Sequence, residues 1–363
     1  MQSGFPVALS RHGASDAARP MVEGGSSLPE MTLRHEGMRE LVRELAARGF
    51  FEGWRAAPRV VPSAEASGGT AFLQINVGCP HNGCIFCPFF KDVAFSEKPL
   101  PRIEKEVRLL AAECSRRDLP VRRLMLLDAD ALCTAQAKLE QVLRLVRAQF
   151  PGRRVSSAQV TAYDELFECI YFRRVESRVE PVEVSAFCRT ESVLAKDVDG
   201  LRCLRELGLG LLWWGVESGS GRLLRLMGKG RVPGAERERI LAAGEMLREA
   251  GIHFVAIILV GLGGERFYDE HLQETLSLLR QLDPPGVSFS DLVVVPGTGY
   301  AELVEAGLLD VLPPQRMAEQ RRAFEQSDLA VVQYDYELGA DHGNKGVAIS
   351  AARPLHVTEK VVL

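Results

Sequence analysis

Residues 70–89 read TAFLQINVGCPHNGCIFCPF, a short apolar run that ends at Val77 and opens into a loop carrying three cysteines. The same strand-then-loop unit recurs along the chain. Short apolar runs at 71–77, 123–127, 182–187, 211–216, 254–260 and 287–295 are separated by amphipathic stretches. None alternates cleanly, so each is expected to be buried on both faces, as parallel sheets require. Between the runs, Ile103, Val107, Leu110 and Ala111 keep helical spacing, as do Leu139, Val142, Leu143 and Val146, and later Leu272, Leu276 and Leu279. Strands alternating with helices imply β/α units with right-handed crossovers. The expectation is an α/β fold, a partial (β/α)6 TIM-like barrel over residues 70–300. Its site would be built by the loops leaving the C-terminal strand ends.

Outward from this core, residues 1–69 read as an N-terminal extension. Residues 1–34 hold Gly, Ser and Pro without periodicity and are expected to be loosely ordered. Met38, Leu41, Val42, Leu45 and Ala46 then predict one helix, which Gly49 is placed to cap. Residues 56–69 follow as a linker with Pro58, Pro62 and Gly68. Residues 151–181 exceed what one crossover loop needs and read as an insertion. The C-terminal part, 301–363, offers a helix around 316–324 and then the tail QYDYELGADHGNKG. That tail reads as solvent-exposed or as a segment closing the open barrel, with Tyr334, Tyr336, His342 and Asn344 as candidate substrate contacts.

Composition narrows the function classes. With 46% hydrophobic and 25% charged residues in 363, the chain has an ordinary globular make-up. No apolar run approaches the roughly 18 residues of a membrane span. The N-terminus lacks the basic start, apolar run and cleavage site of a secretory signal, so the cytoplasm is expected. Lys and Arg number 44 against 48 Asp and Glu, a net of −4 that argues against a general nucleic-acid binder. Of the eight cysteines, Cys79, Cys84 and Cys87 crowd into nine residues while the rest are scattered. That distribution suits a reducing compartment and a metal site rather than a disulfide framework.

The spacing C-x4-C-x2-C supplies three thiolates for a cubane iron–sulfur cluster and leaves its fourth iron without a protein ligand. A structural zinc site on Cys79, Cys84, Cys87 and His81 or a distant ligand is the rival reading. With Phe86 just before the last cysteine, the loop resembles the cluster loop of radical S-adenosylmethionine enzymes. The commonest spacing in that family has three residues in the first gap, and this chain has four, as do some branches.

Further segments carry the resemblance in order along the chain. LLDADAL places Asp128 and Asp130 where the family commonly has a Gly-Gly-Glu element that meets the methionyl amine; both could instead cap the next helix. VSAFCRT offers Ser185 and Arg189. GVESGS offers Glu217 and Ser218, similar to residues contacting the ribose or methionyl end. VGLGGE, with Gly261 and Gly263, resembles a segment that lets backbone approach the adenosyl group, beside Val295 and Pro296. Any strand-to-helix turn also favours glycine.

The resemblance implies a 4Fe-4S cluster on Cys79, Cys84 and Cys87, and S-adenosylmethionine as cofactor. It implies reductive cleavage to a 5′-deoxyadenosyl radical that abstracts hydrogen, with an external one-electron donor such as flavodoxin or ferredoxin. A small-molecule biosynthetic substrate is the first reading; tRNA or a peptide is the second, and a non-enzymatic iron–sulfur or zinc protein the third. Cys133 and Cys188, just beyond two strands, are candidate hydrogen-atom donors, although isolated cysteines usually serve as apolar filler. Cys114 and Cys203 read as core. No second close-spaced cysteine group suggests an auxiliary cluster.

Overall fold

The apolar runs become a seven-stranded, all-parallel sheet whose spatial order follows the sequence, β1-β4-β7-β8-β9-β10-β11. The computed structural model describes residues 28–52, 69–151, 153–154, 179–180, 182–230, 234–327 and 332–335. The strands are β1 (Thr70–Leu73), β4 (Arg123–Leu126), β7 (Glu183–Cys188), β8 (Leu209–Glu217), β9 (His253–Val260), β10 (Gly286–Asp291) and β11 (Val332–Asp335). Two-residue strands β2 (Asn76–Val77) and β3 (Ser96–Glu97) pair with each other, as do β5 (Arg153–Arg154) and β6 (Val179–Glu180). The β5–β6 pair frames the ends of the expected insertion, whose interior lies outside the described residues.

Six strands were expected, and a seventh is present. Val332–Asp335 pairs in parallel with Gly286–Phe289, so part of the tail extends the sheet. The strand was missed although residues 329–332, LAVV, form a short apolar run leading into it; it is only four residues long. No pairing joins β1 to β11 among the described residues, so the barrel is open. Tyr334 is in register with Ser288. Tyr336, His342 and Asn344 lie outside the described residues.

Register separates the two faces of the sheet. Trp214 meets Phe254 edge-to-face, and Gly244 of the helix Glu236–Glu249 lies close against its ring. Phe289 stacks on Phe324 of the helix Pro314–Glu325. These residues mark the outer, helix-packed face. Because side chains alternate along a strand, Ser288 and Ser290 face inward with Ser185, Trp213, Gly215 and Ile257.

The N-terminal helix spans Leu28–Ala47 and buries the expected Met38, Leu41, Val42, Leu45 and Ala46. It starts earlier than the periodicity indicated, inside the segment expected to be loose. Pro29 is compatible with that start, since proline is tolerated in a first helical turn. Lys98, buried, joins this extension to the sheet by donating to the Phe50 carbonyl at 2.8 Å and to Glu106 at 2.8 Å. Cys114 is buried, whereas Cys203, expected in the core, is half-buried beside Glu140. Among the described residues no helix is long and apolar enough to cross a membrane.

Candidate functional site

The cysteine loop begins where β2 ends, and its first step is held by an aspartate. Asp128, just after β4, accepts from the Gly78 amide at 2.6 Å and from Gln74 Nε2 at 3.0 Å. Gln74 reaches on to the Glu52 carbonyl at 3.0 Å. Asp128 was expected to meet a cofactor or cap a helix. The turn Ala131–Cys133 has no side-chain cap, and Asp128 Oδ2 is committed to the amide preceding Cys79. Its φ of 69° is a left-handed conformation that a non-glycine residue adopts at a cost, as is that of Glu217 at 68° and of Asn82 at 46°. All three border this loop or the strand end beside it.

Within the loop, Asn82 donates its amide to Cys79 Sγ at 3.2 Å and its side chain to the Phe90 carbonyl at 2.7 Å. Lys91 donates to the carbonyls of Asn82 and Cys84, at 2.6 and 3.0 Å. Burial pushes the Cys87 thiol up to about 12, and the neighbouring Cys84 and Cys79 add to that rise. Burial also raises Cys84, against the opposing charge of Lys229. The three sulfurs therefore feel one another's charge. They do not converge, among the described residues, on one point as the ligands of a single ion would. His81 is turned to the carbonyl of Gly228, which its Nε2 meets at 2.7 Å.

Glu217 closes β8 and lies at the strand's inner side, largely buried. Its partner is Lys229, whose Nζ donates to Glu217 Oε1 at 2.9 Å. Burial works against the Lys229 ammonium, but Glu217 and Cys84 hold it above the ordinary lysine range. Gly215 makes this pair possible: a β-carbon there would stand 2.6 Å from Glu217 Oε1 and 2.9 Å from Lys229 Nζ. Sequence reading missed Lys229, Gly215 and Gln74. A lysine between Gly228 and Gly230 gave no signal beyond its flanking glycines.

Asp130 is buried, which pushes its carboxyl up to about 7 against the pull of Ser192, Arg189 and the Cys133 amide. Among the described residues its Oδ1 has no partner, and neither do Asn76 Oδ1, Ser185 Oγ, Arg189 Nε and Ser290 Oγ. Arg189 pairs with Glu191 at 2.8 Å, and its charge also acts on Cys84, Lys229 and Asp130. Cys133 is half-buried in the turn after β4. Asn76 Nδ2 approaches its sulfur at 3.6 Å, and Cys79 is near enough to raise its thiol.

Several expected contacts are turned elsewhere. Ser218 is fully buried and donates to His271 Nδ1 at 2.9 Å, away from the barrel interior. Cys188 belongs to the apolar core and pairs in register with the outward-facing Trp214, which removes it from the interior face. Gly261 donates its amide to Gln320 at 2.7 Å, and a β-carbon there would meet Met317 sulfur at 2.8 Å. Gly263 donates to the Tyr300 hydroxyl at 3.2 Å and packs against Leu223 and Phe267. These glycines make room for the chain's own side chains. β10 ends at Asp291, not at 295, so Val295 and Pro296 lie in the following turn, half-buried and exposed respectively. Phe86 is half-buried against a second apolar cluster that includes Leu223, Met227 and Tyr300.

No family model matches the sequence and no curated protein matches it. Solved structures do. Coproporphyrinogen III oxidase (HemN) from Escherichia coli, described as a radical SAM enzyme, is 19% identical over 71% of this chain and 52% of its own, with a TM-score of 0.46. The radical S-adenosylmethionine methyltransferase TsrM from Kitasatospora setae, with cobalamin and a 4Fe-4S cluster bound, is 19% identical over 66% of this chain and 37% of its own, with a TM-score of 0.45. Both are radical S-adenosylmethionine enzymes by name. Methylornithine synthase (PylB) is 13% identical over 89% of this chain and 82% of its own, with a TM-score of 0.43. The chain thus spans about half the length of HemN and less of TsrM.

Proposed function

We propose that this chain is a radical S-adenosylmethionine enzyme, with a 4Fe-4S cluster on Cys79, Cys84 and Cys87. The observation that carries the reading is the placement of that three-thiol loop at the C-terminal end of a parallel sheet, near buried polar atoms that have no partner among the described residues. Burying a polar group without a hydrogen bond costs about 1–3 kcal/mol, so Asp130 Oδ1, Asn76 Oδ1, Ser185 Oγ and Arg189 Nε together favour a polar ligand. S-adenosylmethionine offers an ammonium for the Asp130 carboxyl, a carboxylate for Arg189 and a nucleoside for the hydroxyl-bearing inner face. The residues present fit the group.

When bound, the cluster and S-adenosylmethionine would supply a 5′-deoxyadenosyl radical able to abstract hydrogen from carbon. The protein's part is to hold the loop through Asp128, to set the charges of Glu217, Lys229 and Arg189 beside Cys84, and to keep the barrel interior dry with Trp213 and Ile257. Cys133 is the hydrogen donor we assign: burial pushes its thiol up to about 12, which keeps the S–H bond that donation requires. Cys188, on the outer face, is not proposed again. A small molecule is the substrate class that the polar atoms at the strand ends and the net charge of −4 support. An external one-electron donor would supply the electron.

Anaerobic reconstitution with iron and sulfide tests this. A brown protein with about four irons, the content of one cubane, should yield 5′-deoxyadenosine with dithionite and S-adenosylmethionine, and Cys84→Ala should abolish it. A colourless protein that retains zinc would refute the reading in favour of a structural metal site.

A further inference from the structure

The four-residue gap of the cysteine loop, Pro80 to Gly83, is docked on a turn that comes from a different strand. His81 Nε2 meets the Gly228 carbonyl at 2.7 Å, and because a carbonyl only accepts, that nitrogen carries the proton. Ile85 donates its amide to the Met227 carbonyl at 3.0 Å, and the Tyr300 amide donates to the Ile85 carbonyl at 3.0 Å. The fit between loop and turn is close: Gly228 has φ of 70°, and a β-carbon on it would stand 2.5 Å from the Gly83 carbonyl oxygen. The residue after Gly228 is Lys229, whose ammonium is paired with Glu217 over Gly215, and a β-carbon on Gly228 would stand 3.9 Å from Cys84 Cα, so this turn lies against Cys84. The gap and the cation are thus two ends of one short mechanical link.

We propose that His81 is a positioning residue that, through the Gly228 carbonyl, holds the Lys229 ammonium beside Cys84 and thereby raises the reduction potential of the cluster. The inference rests on the function proposed above. Its physics is simple: adding an electron makes the cluster more negative, and a fixed cation in a site of low dielectric favours that state. Glu217 moderates the effect and keeps the ammonium charged. His81 then serves the loop as an anchor, with its Nε2 committed to a carbonyl and not to a metal.

The test is a potentiometric titration of the reconstituted protein, followed by the spectrum of the reduced cluster, in four forms: unaltered, His81→Ala, Lys229→Met and the double variant. At a fixed potential, each single change should lower the reduced-to-oxidised ratio at least tenfold, a shift of about 59 mV for one electron. The double variant should fall no further than Lys229→Met, because His81 acts through Lys229. His81→Gln, which keeps an N–H donor, and Lys229→Arg, which keeps the charge, should both return the potential towards that of the unaltered protein. An unshifted potential in His81→Ala overturns the proposal, and so do shifts that add in the double variant. His81→Ala alone decides the matter if Lys229→Met fails to fold. An unaltered protein that takes up no reducible cluster defeats the function itself, a failure visible before any potentials are compared.

Discussion

The two halves of the sheet's C-terminal edge differ in what fills them. Along β4, β7 and β8 stand Asp130, Arg189 and Glu217 at or just beyond the strand ends and Ser185 within β7, several with polar atoms that no described residue satisfies. Beyond β9, the glycines Gly261, Gly263 and Gly264 are occupied by Met317, Leu223, Phe267 and Asp310, and two of their amides are held by Gln320 and Tyr300. Glycine at a strand end therefore has two uses here. At Gly215 it clears space for an ion pair in the site; beyond β9 it lets a neighbouring helix and loop approach. The ligand space we propose lies over the first half, while the second half is filled by the chain's own side chains.

Substitutions that treat the halves alike should break this contrast, and the largest effect belongs to the scaffold. Gly264 has φ 67° and ψ −158°, a region closed to side chains, and a β-carbon there would stand 2.4 Å from the Asp310 carbonyl oxygen. Gly264→Ala should lose about 3 kcal/mol or more in denaturant titration, from backbone strain and overpacking together. A loss below about 1 kcal/mol would mean that this half yields easily.

In the open half, Asp130 sharpens the comparison through pH. Its folded pKa of about 7 lies above the ordinary 3.8, so the folded state holds this proton more tightly than the unfolded chain. The stability it contributes is complete below about pH 4 and is lost as pH rises through about 7, a change on the order of a few kcal/mol in the protein without cofactor. Asp130→Asn cannot ionise. Its stability relative to the parent should therefore improve between pH 5 and 8; a difference independent of pH would contradict the burial argument.

Smaller effects separate positioning from packing. Ser218→Ala removes the 2.9 Å donor to His271 Nδ1, leaving the Thr275 hydroxyl at 3.3 Å, and should cost about 1 kcal/mol, with cluster content unchanged. Gly215→Ala meets side-chain ends of Glu217 and Lys229 rather than backbone, so its cost should stay below that of Gly264→Ala, and it should shift cluster reduction as Lys229→Met does. A large stability loss at Gly215 with unaltered reduction would erase the distinction between the two glycine uses.

The fold was legible because hydrophobic periodicity is a local signal. Runs such as LLWWGV announce a buried strand whatever surrounds them, and the cysteine spacing lies within nine residues. The seventh strand, VQYD, carries too few apolar positions to stand out and owes its existence to the edge of β10. Site residues were legible only in part. Asp128 and Glu217 fall at strand ends, where the sequence pointed, but the Asp128 partner, Gly78, is 50 residues away. Lys229 reaches Glu217 through a turn whose direction no pattern in MGKGR encodes. Ser218 and Cys188 lie off the interior face for different reasons: Cys188 by strand alternation beside the outward-facing Trp214, Ser218 beyond the register shift between Gly215 and Glu217.

The claim that underlies all of this is that one iron of the cluster is left for a small ligand by the three thiolates. Its most direct test is the low-temperature electron paramagnetic resonance spectrum of the reduced, reconstituted protein with and without S-adenosylmethionine. Direct ligation predicts a changed signal shape on addition of the cofactor, reversed when the cofactor is removed by desalting. An identical spectrum in both states, with iron fully loaded, would contradict it.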